Sequence, residues 1–121
     1  MNAMLWAGVV VASGLGAVLR FLFDGAVSSR VPGSMPYGTL LVNLTGAFAL
    51  GLLAGLAVSR DVELVLGAGV IGAYTTFSTW MFETHRLIEE RQFVLAMANL
   101  CVSVVAGLAT AAAGLWLGGR L

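Results

Sequence analysis

The sequence predicts an all-α membrane protein with four transmembrane helices per subunit, the third of them broken mid-membrane. Composition gives the first reason. Of 121 residues, 60% are hydrophobic and 10% charged, and the mean hydropathy is +0.98; soluble domains carry about 25% charged residues. Length gives the second, because the apolar residues fall into four runs, each of about 20 residues or more, and about 20 helical residues cross a ~30 Å hydrocarbon core. The third reason is local. Gly72-Ala73-Tyr74-Thr75-Thr76-Phe77-Ser78-Thr79-Trp80 sits inside an otherwise apolar run, and such residues make a poor helix. Gly costs roughly 1 kcal/mol in a helix interior, while Thr and Ser lose rotamer freedom or bond the backbone in competition with the helical ladder. In hydrocarbon a bared carbonyl survives only where protein buries it or where it faces water or an ion. The stretch therefore reads as an ion site.

The first span covers about 4–23 and ends at Asp24. Its N-terminal apolar run has no charged n-region and leads into Arg20 rather than a small-residue cleavage site, so the span reads as a retained helix and not a signal peptide. Arg20 lies near its end, as an interfacial anchor or a vestibule residue; at mid-bilayer it would cost roughly 2.5 to 3.5 kcal/mol. Val31-Pro32-Gly33-Ser34-Met35-Pro36 is a turn-rich connector and not a domain boundary, so 1–121 reads as a single domain.

The second span, about 37–58, carries Gly51 and Gly55, a small-xxx-small pair suited to close helix contact. Asn43 is its one strongly polar interior residue, and is either an interhelical hydrogen-bond bridge or a pore-lining group. The third span runs over about 64–82. The charged segment after it, from Glu83 to Arg91, continues the helix out of the bilayer and reads as a solvated face, His85 included. The fourth span, about 93–117, is long enough to tilt. Asn99, Ser103 and Gly107 recur every four residues on one of its faces; that face is a packing seam or a hydrogen-bonding track beside a pore. Cys101, the single cysteine, reads as a packing residue and offers no disulfide or metal cluster.

Charge orients such a protein through Arg and Lys asymmetry. Here Arg60 and Arg120 on one side face Arg30, Arg86 and Arg91 on the other, with Arg20 near that other end. So slight a bias predicts insertion in both orientations. A bundle of this size hardly encloses a pore and still packs, so an oligomer is expected, and mixed orientation favours an antiparallel, dual-topology homodimer with an isologous interface. The net charge of zero and the scattered arginines argue against nucleic acid as a partner. Without a nucleophile–base pair or metal cluster, an enzyme is not expected.

Three stretches carry a resemblance over essentially the whole chain: Gly14-Leu15-Gly16-Ala17-Val18-Leu19-Arg20, Gly38-Thr39-Leu40-Leu41-Val42-Asn43-Leu44-Thr45-Gly46-Ala47-Phe48, and Gly69-Val70-Ile71-Gly72-Ala73-Tyr74-Thr75-Thr76-Phe77-Ser78-Thr79. In order, spacing and span count the chain resembles the CrcB/Fluc family of fluoride channels. The resemblance implies a dual-topology homodimer in the cell inner (plasma) membrane, with two antiparallel fluoride pores and a structural Na⁺ at its centre. The cation would be held by the backbone carbonyls of Gly72 and Thr75 from each subunit. The pore phenylalanines of the family correspond to Phe77 and Trp80. Two departures stand out: Trp80 replaces a usual Phe, and Ala73 a usual Gly.

The residues then allow a mechanism. Ring edges of Phe77 and Trp80 line an anion's path without trapping it, and the indole N–H is expected as a donor that stands in for the missing phenyl. Thr76, Ser78, Thr79, Asn43 and Ser103 supply hydroxyls and an amide in place of water. Ordinary helix packing is the competing reading of the two aromatics. The competing function is a small proton-coupled multidrug exporter, which needs a membrane-embedded titratable group. Asp24, Asp61, Glu63, Glu83, Glu89 and Glu90 are all expected near span ends, which counts against it.

Overall fold

In the computed structural model, which describes residues 2–121, every element is helical. Helix α1 spans Ala3–Arg30, opened by Asn2, whose side chain accepts from the Leu5 amide at 2.8 Å. It continues past Asp24, where the sequence predicted its end. Nothing in Gly25–Arg30 breaks it: Ser28 bonds back to Asp24 at 3.2 Å and Ser29 to the Ala26 carbonyl at 3.0 Å. Pro32 stops it, because the residue before a proline is pushed out of the helical region; Val31 has φ −125° and ψ 81°.

Helix α2 spans Tyr37–Leu56 and closes at Ala57 in the left-handed region (φ 52°), two residues short of the predicted end. The third crossing is composite. It begins with a single turn, α3 (Arg60–Val62), capped by Ser59, and widens into a π-helical stretch over Glu63–Ile71. A second short turn, α4 (Gly72–Tyr74), precedes the break, and α5 (Ser78–Glu89) resumes the helix. The crossing so runs over 60–89: it starts four residues before the predicted span, and past Phe82 the helix continues into the charged segment as expected. Helix α6, Phe93–Arg120, extends three residues beyond the predicted 117. Each of the four crossings is long and apolar enough to span a membrane.

Glycine fixes how these helices meet. The largest helix pairing is α2 with α6, and it is a backbone-to-backbone seam: a Cβ added at Gly51 or Gly55 would overlap the carbonyls of Ala111 or Leu115, and one at Gly114 or Gly118 those of Phe48 or Leu52. The Gly51/Gly55 pair read from the sequence is thus a helix contact, answered by Gly114/Gly118. Helix α1 packs on the π-helical stretch in the same way, with Gly16 against the Val70 carbonyl and Gly69 against Ala12. Among the described residues the apolar core is small, led by Val42, Leu87 and Ala96. Many large apolar side chains point outward, Phe21, Phe82, Val94 and Leu108 among them. Cys101, expected to pack, is also exposed on this chain.

The outer end of α5 is charged as predicted. His85 and Glu89 pair at 2.6 Å, Arg86 and Glu90 at 3.0 Å, all largely exposed. Asp24 lies within α1, which runs on past it, and Glu83 lies within α5, where it accepts from the Thr39 hydroxyl of α2.

Candidate functional site

The break occupies Thr75–Phe77, at the middle of the 30-residue crossing Arg60–Glu89. Thr75 is extended, with φ −80° and ψ 159°. Its own amide and hydroxyl both bond the Ile71 carbonyl, at 3.0 and 3.1 Å, so α4 ends with its last donors satisfied. The next amide goes elsewhere. In an unbroken helix the Thr76 N–H would reach the Gly72 carbonyl; instead it donates to Asn43 Oδ1 at 2.8 Å. The Thr79 N–H, which would reach the Thr75 carbonyl, donates to Thr76 Oγ1 at 3.2 Å. Gly72 and Thr75 are therefore left with carbonyls that have lost their helical donors.

Asn43 works from α2. Its Nδ2 donates to the Thr76 carbonyl at 2.9 Å while its Oδ1 accepts from the Thr76 amide. Of the two readings left open by the sequence, the bridge is what the geometry contains, and Asn43 also lines the cavity beside the break. Gly46, one turn further along α2, lets that contact close, since a Cβ there would overlap the Thr75 methyl. Tyr74 and Thr45 add a hydroxyl pair at 2.9 Å.

A cavity of ≈ 370 Å³ opens at this point. It is lined by Asn43, Gly72, Thr75, Thr76, Phe77 and Trp80 together with small and apolar residues of α2 and the π-helical stretch. Six of the residues predicted for the site are so brought together. Ser78 and Thr79 lie just behind, their hydroxyls 3.4 and 3.1 Å from Thr76 Oγ1. Ser103 and Arg20 lie outside the lining. The Ser103 hydroxyl is buried with no hydrogen-bond partner among the described residues. Arg20 is half-buried and sits ten residues before the C-terminal end of α1, because the helix continues to Arg30.

Phe77 is 69% exposed. Its ring meets that of Trp80 edge-to-face, with centroids 5.6 Å apart at 79°, and it takes no part in this chain's core. Packing within the chain does not account for it. The expected role of the Trp80 N–H is corrected: Nε1–H donates to the backbone carbonyl of Asn99 at 3.1 Å, so it is not available as a donor to an anion. Sequence reasoning missed that α6 partner, along with Thr84, because donor and acceptor lie 19 residues apart on different helices. The signal present was Asn99 itself, a polar residue in an apolar span.

These features define a class: a multi-pass α-helical membrane protein whose third crossing is interrupted at half its length and braced there from a neighbouring helix. The chain belongs to the CrcB family. The family described as "CrcB-like protein, Camphor Resistance (CrcB)" matches residues 7–115. The chain is 56% identical over 117 residues to "Fluoride-specific ion channel FluC 2" of Mycobacterium tuberculosis, covering 97% of this chain and 93% of that one. It is 42% identical over 123 residues to "Fluoride-specific ion channel FluC 1" of Leifsonia xyli, covering 98% and 90%. A "Fluoride-specific ion channel FluC 1" of Streptomyces avermitilis is 44% identical over 117 residues, covering 93% and 94%.

Proposed function

We propose that this chain is a fluoride-selective channel of the inner (plasma) membrane, which lets fluoride leave the cell passively and so lowers its toxicity. Fluoride-specific relatives matched over nearly their whole length support the ion. The observation that carries the site is the break itself: two donorless carbonyls, Gly72 and Thr75, stand in one cavity with the rings of Phe77 and Trp80.

The working unit is an antiparallel homodimer, one four-helix domain per subunit. The donor set favours it. Gly72 and Thr75 offer hard oxygen ligands that fit Na⁺, but two carbonyls per chain leave such a cation half-surrounded, and an inverted second copy doubles the set. When bound, the ion supplies fixed positive charge between the two pores and satisfies oxygens that hydrocarbon would leave orphaned.

Fluoride then passes the outward-facing ring of Phe77. Aromatic edges are weakly positive, so they attract an anion without the grip of a fixed Arg. Hydroxyls of Thr76, Ser78 and Thr79 stand in for lost water, and several weak contacts permit exit. No chemistry and no coupling are needed, because a membrane potential supplies about 2.3 kcal/mol per charge per 100 mV, or roughly 50-fold, against an anion inside a negative cell.

The test is efflux from liposomes reconstituted with the purified protein. Fluoride should leave and chloride should stay. Neither ion leaving would overturn the reading, and proton-dependent drug exchange in place of fluoride flux would favour a small multidrug exporter instead.

A further inference from the structure

Trp80, Thr84 and Asn99 close a ring of three hydrogen bonds between α5 and α6. The indole Nε1–H donates to the Asn99 backbone carbonyl at 3.1 Å. Asn99 Nδ2 donates to Thr84 Oγ1 at 2.8 Å, and Thr84 Oγ1 donates to the Trp80 carbonyl, also at 2.8 Å. Asn99 is 1% exposed and Thr84 5%, so no water competes for these partners, and each bond is costly to leave unmade. The ring includes both the backbone and the side chain of Trp80, which fixes where the residue sits and which way its indole faces.

We propose that Thr84 and Asn99 are positioning residues for the second aromatic contact of the anion path. The inference rests on the reading that Phe77 and Trp80 line that path. A tethered indole turns only its carbon-bound edge and face toward the cavity and toward Phe77, so it behaves as a phenyl ring held in place. An untethered one would offer its N–H, a donor that grips an anion and slows its exit. The tether thus converts a residue with a strong donor into one with weak contacts alone. A phenylalanine has no N–H and needs no such arrangement, whereas Trp80 here is provided with one.

The experiment uses the reconstituted full-length protein in a Trp6→Phe, Trp116→Phe background, where Trp80 is the only emitting indole. Thr84→Val removes the hydroxyl at nearly constant shape. It is expected to lower the emission anisotropy of Trp80 and to reduce fluoride efflux by about two- to tenfold, within the worth of the two hydrogen bonds that the hydroxyl makes; Thr84→Ser, which keeps the hydroxyl, restores both. Should Thr84→Val not fold, 3-benzothienylalanine at position 80 keeps the ring and deletes only the N–H; with no donor to free, it is expected to pass fluoride as the parent does. Unchanged anisotropy in Thr84→Val, or unchanged efflux with a loosened ring, overturns the positioning role, as does efflux in the benzothienyl variant well below the parent's, which would show that the N–H serves the path rather than being kept from it. A parent protein that passes no fluoride overturns the channel reading instead, and the anisotropy of Trp80 then decides by itself whether the ring of bonds holds the indole.

Discussion

Asn43 on α2 takes both backbone groups of Thr76, 33 residues away, with its Nδ2 on the carbonyl at 2.9 Å and its Oδ1 on the amide at 2.8 Å. A side-chain amide carries a donor and an acceptor side by side, which is what one peptide unit outside a helix lacks. The break can persist at this depth because a neighbouring helix supplies both missing partners.

Replacing Asn43 by Leu strands that peptide unit. Each buried group left without a partner costs about 1 to 3 kcal/mol, so Asn43→Leu should lower the thermal midpoint in detergent well below that of the parent. A midpoint within error of the parent would mean that Thr76 finds other partners.

Glycine substitutions should divide by position. A methyl at Gly114 would run into the Phe48 carbonyl, and forced overpacking costs about 1 to 3 kcal/mol, so Gly114→Ala is expected to destabilise. Gly14 and Gly107 have nothing within 4 Å of an added Cβ, and Gly→Ala inside a helix gains roughly 0.5–1 kcal/mol. Thermal scans of the three variants check this, and a loss at Gly14 or Gly107 would mark that face as covered by a second copy.

Ala57 holds φ 52° at the end of α2. A side chain in the left-handed region costs about 1 to 2 kcal/mol, which glycine avoids. Ala57→Gly should therefore raise the thermal midpoint; an unchanged midpoint would show that the turn relaxes without it.

Phe77→Ala should cut fluoride efflux while the proposed dimer stays intact. An aromatic contact is worth about 0.5–1.5 kcal/mol, so a reduction of roughly two- to tenfold is expected in liposome assays. Unchanged flux would remove Phe77 from the path.

A cation bound to the Gly72 and Thr75 carbonyls would stabilise the folded dimer by mass action. Above its dissociation constant, each tenfold rise in Na⁺ should add about 1.4 kcal/mol. Unfolding measured across a Na⁺ series, with N-methylglucamine keeping ionic strength constant, tests this; a flat response would exclude a cation exchangeable over that range.

Local properties determined much of this protein from sequence alone. Hydropathy marks four crossings because lipid demands long apolar helices with every backbone group paired. The run Gly72–Trp80 marks where the third must fail, since weak helix formers concentrate there. Gly51 and Gly55 mark a seam because spacing of four puts both on one face. Partner choice was decided only in three dimensions. That Asn43 braces Thr76, that Gly114 and Gly118 answer Gly51 and Gly55, and that the Trp80 N–H is engaged by Asn99 all depend on contacts between separate helices. No period along one chain segment encodes such contacts; they exist only where packing brings separate helices close enough for polar groups on each to meet.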